Sequence, residues 1–208
     1  MQRNKNSKFK ATMFFSIISL SFIHYNAISA STSKDIYDDY TSMRYWKPAK
    51  QSDGSYLIEN KFRDPAGEAL CLSADPLDRP SAVINHCSST QSNLRDMKRW
   101  SMIEKEDGFY VLQNKHRKPD GEPLCLNILS PNDIAGVNYC NISSPEGYDY
   151  PSMIQWKFIK QPDGFYLMEN KYKRPGKKSR CLAADSMNKT AIAIECPVEE
   201  KKSSINHQ

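Results

Sequence analysis

The sequence contains one stretch in three copies, and this repeat constrains the fold more than any other feature. The third copy reads WKFIKQPDGFYLMENKYKRPGKKSRCLAAD from Trp156, and the others begin at Trp46 and Trp100. The three tryptophans are 54 and 56 positions apart (100−46 and 156−100). The landmarks that follow at matching offsets are Asp53-Gly54, Asn60, Cys71 and Cys87, then Asp107-Gly108, Asn114, Cys125 and Cys140, then Asp163-Gly164, Asn170, Cys181 and Cys196.

Each copy predicts four short β-strands. In the third copy the strands start at Trp156, at Phe165, around Arg180 and at Ala191, and Asp163-Gly164 forms a hairpin turn between the first two. Helical periodicity is absent, and Pro and Gly interrupt the apolar runs at short intervals, which is typical of all-β folds. Three copies of four strands give twelve, so the sequence predicts an all-β protein.

The ends of the repeat predict closure. No fourth tryptophan strand follows Cys196, since PVEEKKSSINHQ is polar. We therefore expect the strand at Trp46 to pair with the third copy, closing a compact barrel with pseudo-threefold symmetry and removing exposed sheet edges. Pro48 is tolerated in a strand at such a seam. The alternative, an open solenoid, would carry distinct capping repeats.

The N-terminus resembles a secretory signal peptide over residues 1–30. A basic segment without acids precedes a mostly apolar run from Ala11 to Ile23, and a short polar exit ends at Ala30, the expected cleavage site. An uncleaved membrane anchor is the alternative. Residues 31–45 are a polar N-terminal leader, either mobile or docked on a partner, and residues 198–208 are a polar tail. These features predict a secreted chain, extracellular or periplasmic, with no transmembrane segment after cleavage.

Charge and motifs argue against nucleic-acid binding and catalysis. Lys and Arg number 29 against 24 acids, but four of these bases lie in residues 1–30, which leaves 25 against 24 in the mature chain. A net charge of +1 gives no case for nucleic acid. His86, His116 and His207 are not in ligand-like spacing, and no nucleophile elbow or phosphate loop is present. We therefore expect that the chain is not an enzyme and that it binds neither a cofactor nor a metal ion.

The six cysteines all lie beyond the signal segment, at paired spacings. An even number of cysteines in a secreted chain favours disulfides. The repeat selects one pairing within each copy: Cys71–Cys87, Cys125–Cys140 and Cys181–Cys196. Free or metal-binding thiols are the alternative, but neither a CxxC pair nor a neighbouring histidine cluster supports it.

The repeated motif resembles that of ricin-B-type β-trefoil lectins. It consists of Gly-x-Tyr leading to Asn, then Cys-Leu, a second Cys and a tryptophan strand, as in Gly54-Ser55-Tyr56 to Asn60, Cys71-Leu72 and Cys87. The resemblance covers residues 46–197 and implies a β-trefoil. Size, signal segment, leader and cysteine pattern also make the chain similar to the cell-binding subunits of cytolethal distending toxins.

The sugar-contact positions of those lectins are altered in this chain. The family's Asp, two residues after the first cysteine, is replaced by Ser73, Asn127 and Ala183, and its aromatic residue by Asn85, Asn138 and Ile194. The Gln two residues before each tryptophan is replaced by Arg44, Lys98 and Ile154. Only the middle copy presents amides and an aromatic side chain, so Asn127, Asn138 and Tyr139 are the candidate ligand-binding residues. Ordinary polar loop residues are the alternative.

Two further segments are candidate contact surfaces. Tyr148 and Tyr150, in the long connection before Trp156, suit contact with a protein or a glycan if exposed, and otherwise pack across the end of the barrel. A basic cluster suits acidic sugars or phospholipid head groups, and a solvated loop face is its alternative. Its members are Lys171, Lys173, Arg174, Lys177, Lys178 and Arg180.

These observations leave three functional hypotheses. The first is a secreted recognition module, the host-binding subunit of a multi-subunit toxin, that contacts a cell-surface glycan or glycoprotein and is held by the other toxin subunits. The second is a free-standing lectin whose site lies in the middle copy. The third is a trefoil inhibitor of a secreted hydrolase that uses one protruding loop.

Overall fold

The computed structural model describes residues 40–75, 80–129, 134–141 and 149–197. They belong to one compact unit of the chain, Thr32–Gln208. The predicted signal peptide, leader residues 31–39 and the C-terminal tail lie outside the described residues. Within the described ranges, no helix has the length and apolar character needed to cross a membrane.

Within the described residues, twelve antiparallel strands form one sheet, so the predicted all-β class is confirmed. The strands are β1 (Tyr45–Lys50), β2 (Tyr56–Arg63), β3 (Ala69–Ala74), β4 (Ala82–His86), β5 (Trp100–Glu104), β6 (Phe109–Arg117), β7 (Pro123–Leu129), β8 (Ile134–Tyr139), β9 (Gln155–Lys160), β10 (Tyr166–Asn170), β11 (Arg180–Asp185) and β12 (Thr190–Glu195). The helical segments of the described ranges are short: residues 40–42, α1 (Ser92–Met97), a 3₁₀ turn (Glu106–Gly108) and α2 (Tyr150–Met153).

Six of the strands form a closed ring of pairings in the order β1, β2, β5, β6, β9, β10 and back to β1. The ring closes where Trp46 of β1 lies opposite Tyr166 of β10, so the expected pairing between the first strand and the third copy is confirmed. The ring leaves none of its six strands with a free edge over these registers.

The other six strands form three hairpins, β3–β4, β7–β8 and β11–β12. Each hairpin continues from the ring through its first strand, which pairs with β2, β6 or β10. The hairpins also meet one another, through the pairs Thr190–Val83, Ile192–Ile134 and Ser81–Gly136. Each copy thus contributes one hairpin to the ring and one to this three-way junction.

The predicted Asp-Gly turns connect the first two strands of each copy. Gly54 and Gly164 have φ of 78° and 84°, in the left-handed region that a residue with a Cβ adopts at a cost. Asp53 Oδ1 accepts a hydrogen bond from Ser55 N at 3.0 Å, and Asp163 makes the equivalent bond in the third copy. The aspartate therefore fixes the turn that the glycine permits.

Charged pairs join neighbouring copies at two of these turns. Lys61 Nζ lies 2.6 Å from Asp163 Oδ2, and its hydrogen bond lowers the pKa of that carboxyl. Arg99 Nη1 lies 3.1 Å from Asp53 Oδ1. The pKa of the Asp53 carboxyl is also lowered, mainly because the Ser55 hydroxyl donates a hydrogen bond to it. Because both carboxylates are exposed to solvent, these pairs orient the turns more than they stabilise the fold.

The three landmark tryptophans bind the ring to the hairpins. All three are fully buried in the core. Each indole Nε1 donates to a leucine carbonyl of a different copy: Trp46 to Leu182 at 2.9 Å, Trp100 to Leu72 at 3.0 Å and Trp156 to Leu126 at 3.0 Å. The donors and acceptors run from the first copy to the third, from the second to the first and from the third to the second, so these bonds close a circle.

The three landmark asparagines fix the segment before each tryptophan strand. They are at most 1% exposed. Each side-chain Nδ2 donates to a methionine carbonyl and each Oδ1 accepts a backbone N–H two residues further on. The bonds are Asn60 to Met43 and from Phe62, Asn114 to Met97 and from His116, and Asn170 to Met153 and from Tyr172. Each buried amide is thus satisfied at both atoms.

The three predicted disulfides are confirmed as Cys71–Cys87, Cys125–Cys140 and Cys181–Cys196. Each joins the strand pair of one outer hairpin, with sequence separations of 16, 15 and 15 residues. None of the cysteines is free.

Candidate binding site

The positions that hold the sugar-binding Asp in the lectins are buried in all three copies of this chain. Ser73 and Asn127 are 0% exposed and Ala183 is 3% exposed. A short helical segment precedes each tryptophan strand. These segments contain Tyr40, Leu94 and Tyr150, each six positions before its tryptophan. Tyr150 covers the middle position, while Tyr40 lines an apolar groove that also contains Ala183. In this structure none of the three positions faces solvent.

Asn127, the central residue of the predicted ligand site, lies in a buried hydrogen-bond chain. Its Nδ2 donates to Tyr150 Oη at 3.1 Å, and Tyr150 Oη donates to the carbonyl of Tyr139 at 2.6 Å. Asn127 Oδ1 has no partner among the described residues. Gly136 lies directly opposite Asn127 on β8.

The remaining predicted ligand residues, Asn138 and Tyr139, make hydrogen bonds of their own within the described residues. Asn138 Oδ1 accepts a hydrogen bond from Tyr139 N at 3.0 Å, and Tyr139 Oη donates to Asp120 Oδ2 at 3.0 Å. Tyr139 therefore points its hydroxyl to the loop between β6 and β7 and meets Asn127 only through its backbone carbonyl and Tyr150. A sugar that contacts Asn127 requires Tyr150 to move.

Tyr150 does not have the exposed side chain that contact with a protein or a glycan would require. It is 7% exposed, and its hydroxyl bonds to Asn127 and Tyr139 of the middle hairpin. The reason is its place at the start of α2, where Asp149 caps the helix by accepting from Ser152 N. Tyr148 lies outside the described residues.

Replacing Tyr150 with phenylalanine is expected to lower the free energy of unfolding by about 1–3 kcal/mol, because it leaves a buried amide and a carbonyl without their shared hydroxyl. Burial raises the pKa of Tyr150 above its ordinary value of 10.0. The hydroxyl's contribution is therefore complete below pH 10 and is lost as the pH rises through the raised pKa of the folded state.

Urea unfolding of the wild-type chain and of Tyr150→Phe, from neutral pH to above pH 10, measures the difference in unfolding free energy. The control is Tyr166→Phe, since Tyr166 has a half-buried ring and no hydroxyl hydrogen bond among the described residues. We expect the control to change the unfolding free energy by less than about 0.5 kcal/mol. Equal effects of the two substitutions would contradict the hydrogen-bond chain.

Four of the six residues of the predicted basic cluster line a surface cleft. The cleft has a volume of about 170 Å³. We call it the basic cleft, and its lining residues are Ile128, Tyr172, Arg174, Lys177, Lys178, Arg180 and Glu195. Four cationic side chains thus face one carboxylate. Lys171 and Lys173 lie elsewhere, against Gln155 Oε1 at 3.1 Å and Glu169 Oε1 at 3.5 Å.

Two elements position the charges of the basic cleft. A turn from Arg174 to Lys177, closed by the bond from Lys177 N to Arg174 O at 3.0 Å, lies in the loop between β10 and β11. Arg180 lies opposite Glu195 in the β11–β12 pair, and its guanidinium donates to the carbonyl of Ala193. Lys178 Nζ lies 3.2 Å from Glu195 Oε2, so the one carboxylate already has a cationic neighbour.

The same positions carry other charges in the other copies. The residues seven, four, three and one before the first cysteine are Asp64, Gly67, Glu68 and Leu70 in the first copy, Lys118, Gly121, Glu122 and Leu124 in the second, and Arg174, Lys177, Lys178 and Arg180 in the third. Their sums are −2, 0 and +4. The fold therefore accepts either sign of charge at these positions, and all four cationic side chains of the basic cleft come from the third copy.

In each copy, the residue before the second cysteine contacts a charged residue of the loop that precedes the first cysteine. In the first copy His86 Nδ1 lies 2.9 Å from Glu68 Oε2, and in the second Tyr139 donates to Asp120. In the third copy Glu195 lies beside Lys178. The basic cluster was visible in the sequence, but Tyr172, Glu195 and Ile128 were not assigned to it. A position-by-position comparison of the copies would have found Glu195.

No protein-family model matches the chain, and no curated protein matches it significantly. The resemblance to ricin-B-type lectins therefore rests on the motif of this sequence and stays a prediction. Among the described residues, no group of three or more His, Cys, Asp and Glu side chains is placed to hold a metal ion.

Proposed function

We propose that the chain is a secreted, non-catalytic recognition module with a β-trefoil fold. We further propose that it is the host-cell-binding subunit of a multi-subunit toxin and contacts surface glycans or glycoproteins. The fold proposal is supported by the ring of six strands, the three outer hairpins that meet one another, and the circle of tryptophan bonds. The repeated motif, which resembles that of ricin-B-type lectins, supports the same fold.

One observation carries the functional proposal. The landmark Trp, Asn and Cys residues make the same bonds in each copy, whereas the loop residues before the first cysteine of each disulfide differ in summed charge from −2 to +4. A frame that tolerates such changes offers surface sites for recognition, because binding residues on loops vary without disturbing the core. Three disulfides support an oxidising compartment, as expected of a secreted protein.

A glycan array and a cell-binding assay test the proposal. The oxidised chain, with its three disulfides verified, is expected to bind a defined set of glycans and to label cells that carry them. The same sample after reduction serves as the control for folding-dependent binding. A folded sample that binds neither glycans nor cells, and instead inhibits a secreted hydrolase, would overturn recognition in favour of the inhibitor hypothesis.

Partner capture separates a toxin subunit from a free-standing lectin. If the chain is a subunit, it is expected to form a stoichiometric complex with a second secreted protein of the same source while it retains glycan binding. A chain that binds glycans and stays alone in such an experiment is a lectin, and the toxin assignment fails.

A further inference from the structure

We propose that the basic cleft binds a saccharide that carries a carboxylate or sulfate group. This inference rests on the proposed recognition function and names the ligand class of one site. It starts from the charge of the cleft, where four cationic side chains surround the single carboxylate of Glu195.

The positive charge of the cleft is only partly neutralised by its own residues. Glu195 pairs with Lys178 at 3.2 Å. Lys177 is exposed, and its ammonium has no partner among the described residues. Like charges gathered in a concave site raise the local concentration of an anion and increase its rate of association. An anionic ligand therefore gains from the cleft as a whole rather than from one ion pair.

Arg180 gives the cleft a fixed donor. The equivalent residues Leu70 and Leu124 are buried in the other copies, so an arginine is not required by packing at this position. Its guanidinium is half-buried and held by the carbonyl of Ala193, with Glu195 opposite. A guanidinium that is already oriented loses less entropy when it binds a carboxylate or sulfate.

The shape and the remaining residues favour a sugar over a membrane. A volume of about 170 Å³ lies below the ~300–1,000 Å³ of clefts for drug-sized ligands, so it suits one monosaccharide unit. Tyr172 contributes an aromatic side chain to the lining, which suits contact with a pyranose, and Glu195 contributes an acceptor for sugar hydroxyls. A membrane surface instead favours a broad basic face with exposed apolar side chains, whereas Ile128 in this cleft is 3% exposed.

The test compares two variants of equal charge in the full oxidised chain. The first is Lys177→Glu with Lys178→Glu, in the cleft. The control is Lys50→Glu with Lys105→Glu, two exposed lysines outside it that have no side-chain partner among the described residues. The probes are 3′-sialyllactose and galactose 6-sulfate, with lactose and galactose as their neutral counterparts, and vesicles of phosphatidylserine in phosphatidylcholine. Binding is measured by calorimetry, and folding by the thermal transition.

We expect at least one acidic sugar to bind more tightly than its neutral counterpart. The cleft variant should lose about tenfold or more in affinity, since each charge-assisted hydrogen bond contributes about 1.5–3 kcal/mol. The control should change the affinity by less than about threefold, as expected for screened, distant charges.

Other outcomes overturn the proposal in distinguishable ways. If the array finds neutral glycans whose binding the cleft variant leaves unchanged, the recognition function stands and the basic cleft is not its site. Equal losses in both variants would mean a general charge effect instead of a site. Binding to anionic vesicles without binding to either acidic sugar would assign the cleft to a membrane surface. If the folded wild-type chain binds no glycan at all, the proposed function fails with it.

Discussion

Replacing Trp46 with alanine is expected to lower the free energy of unfolding by about 3–5 kcal/mol, the range for deleting a large aromatic side chain from a core. The same loss is expected for Trp100 and Trp156. All three side chains are fully buried, and each donates to a leucine carbonyl in another copy. Chemical denaturation of the three variants, with the disulfides intact, measures the losses.

The equality of the three losses is the informative result. Trp46 stands at the start of the repeat, and in an open array of copies it would pack against one neighbour only and cost less than Trp100. In the closed ring it lies opposite Tyr166 and binds Leu182, both in the third copy. A loss for Trp46→Ala less than half of that for Trp100→Ala would contradict closure.

Trp→Phe variants separate the hydrogen bond from the packing. Phenylalanine retains much of the buried ring but leaves the leucine carbonyl without its donor. We expect about 1–3 kcal/mol from the unsatisfied carbonyl, together with the loss of packing from the smaller ring.

The sequence predicted the frame well because each of its parts has a local signal. Asp53-Gly54 indicates a turn through the left-handed φ of glycine, and alternating apolar residues indicate the strands on either side. The disulfide pairing followed from the repeat itself. The short helices were not predicted, since six residues in α1 and four in α2 are too few to show a helical period.

The candidate site was less predictable because it depends on contacts between distant residues. Asn127 and Tyr150 are 23 positions apart, and only the folded chain shows that one covers the other. The basic cleft combines the loop after β10, the end of β12 and Ile128 of the preceding copy. The sequence revealed the lysines and arginines of the basic cleft. It did not show that the carboxylate of Glu195 and the side chain of Tyr172 accompany them.

The third disulfide links the frame to the proposed site. Arg180 and Glu195, which lie opposite each other in the basic cleft, directly precede Cys181 and Cys196. The disulfide therefore holds the two strands whose ends carry these side chains. The corresponding neighbours of the first disulfide are Leu70 and His86, outside the basic cleft.

Removing Cys181–Cys196 by two alanine substitutions is expected to cost about 3 kcal/mol of stability, because a loop of about 15 residues is released in the unfolded chain. Removing Cys71–Cys87 should cost the same, since the separations are 15 and 16 residues. Denaturation of the two variants in the cold, where both remain folded, measures these losses. Reduction of all three disulfides should remove about 9 kcal/mol, within the ~5–15 kcal/mol stability of a typical domain, and unfold the chain on warming.

The two variants are expected to differ in binding although they match in stability. Loss of Cys181–Cys196 frees the ends of β11 and β12, so the affinity for an acidic sugar should fall by about fivefold or more, as the ordering of loose residues opposes binding. Loss of Cys71–Cys87 should leave that affinity within about twofold, because the basic cleft draws no residue from the first copy. Equal falls in affinity would mean that binding depends on the overall stability of the fold. That result would contradict the assignment of the binding site to the basic cleft.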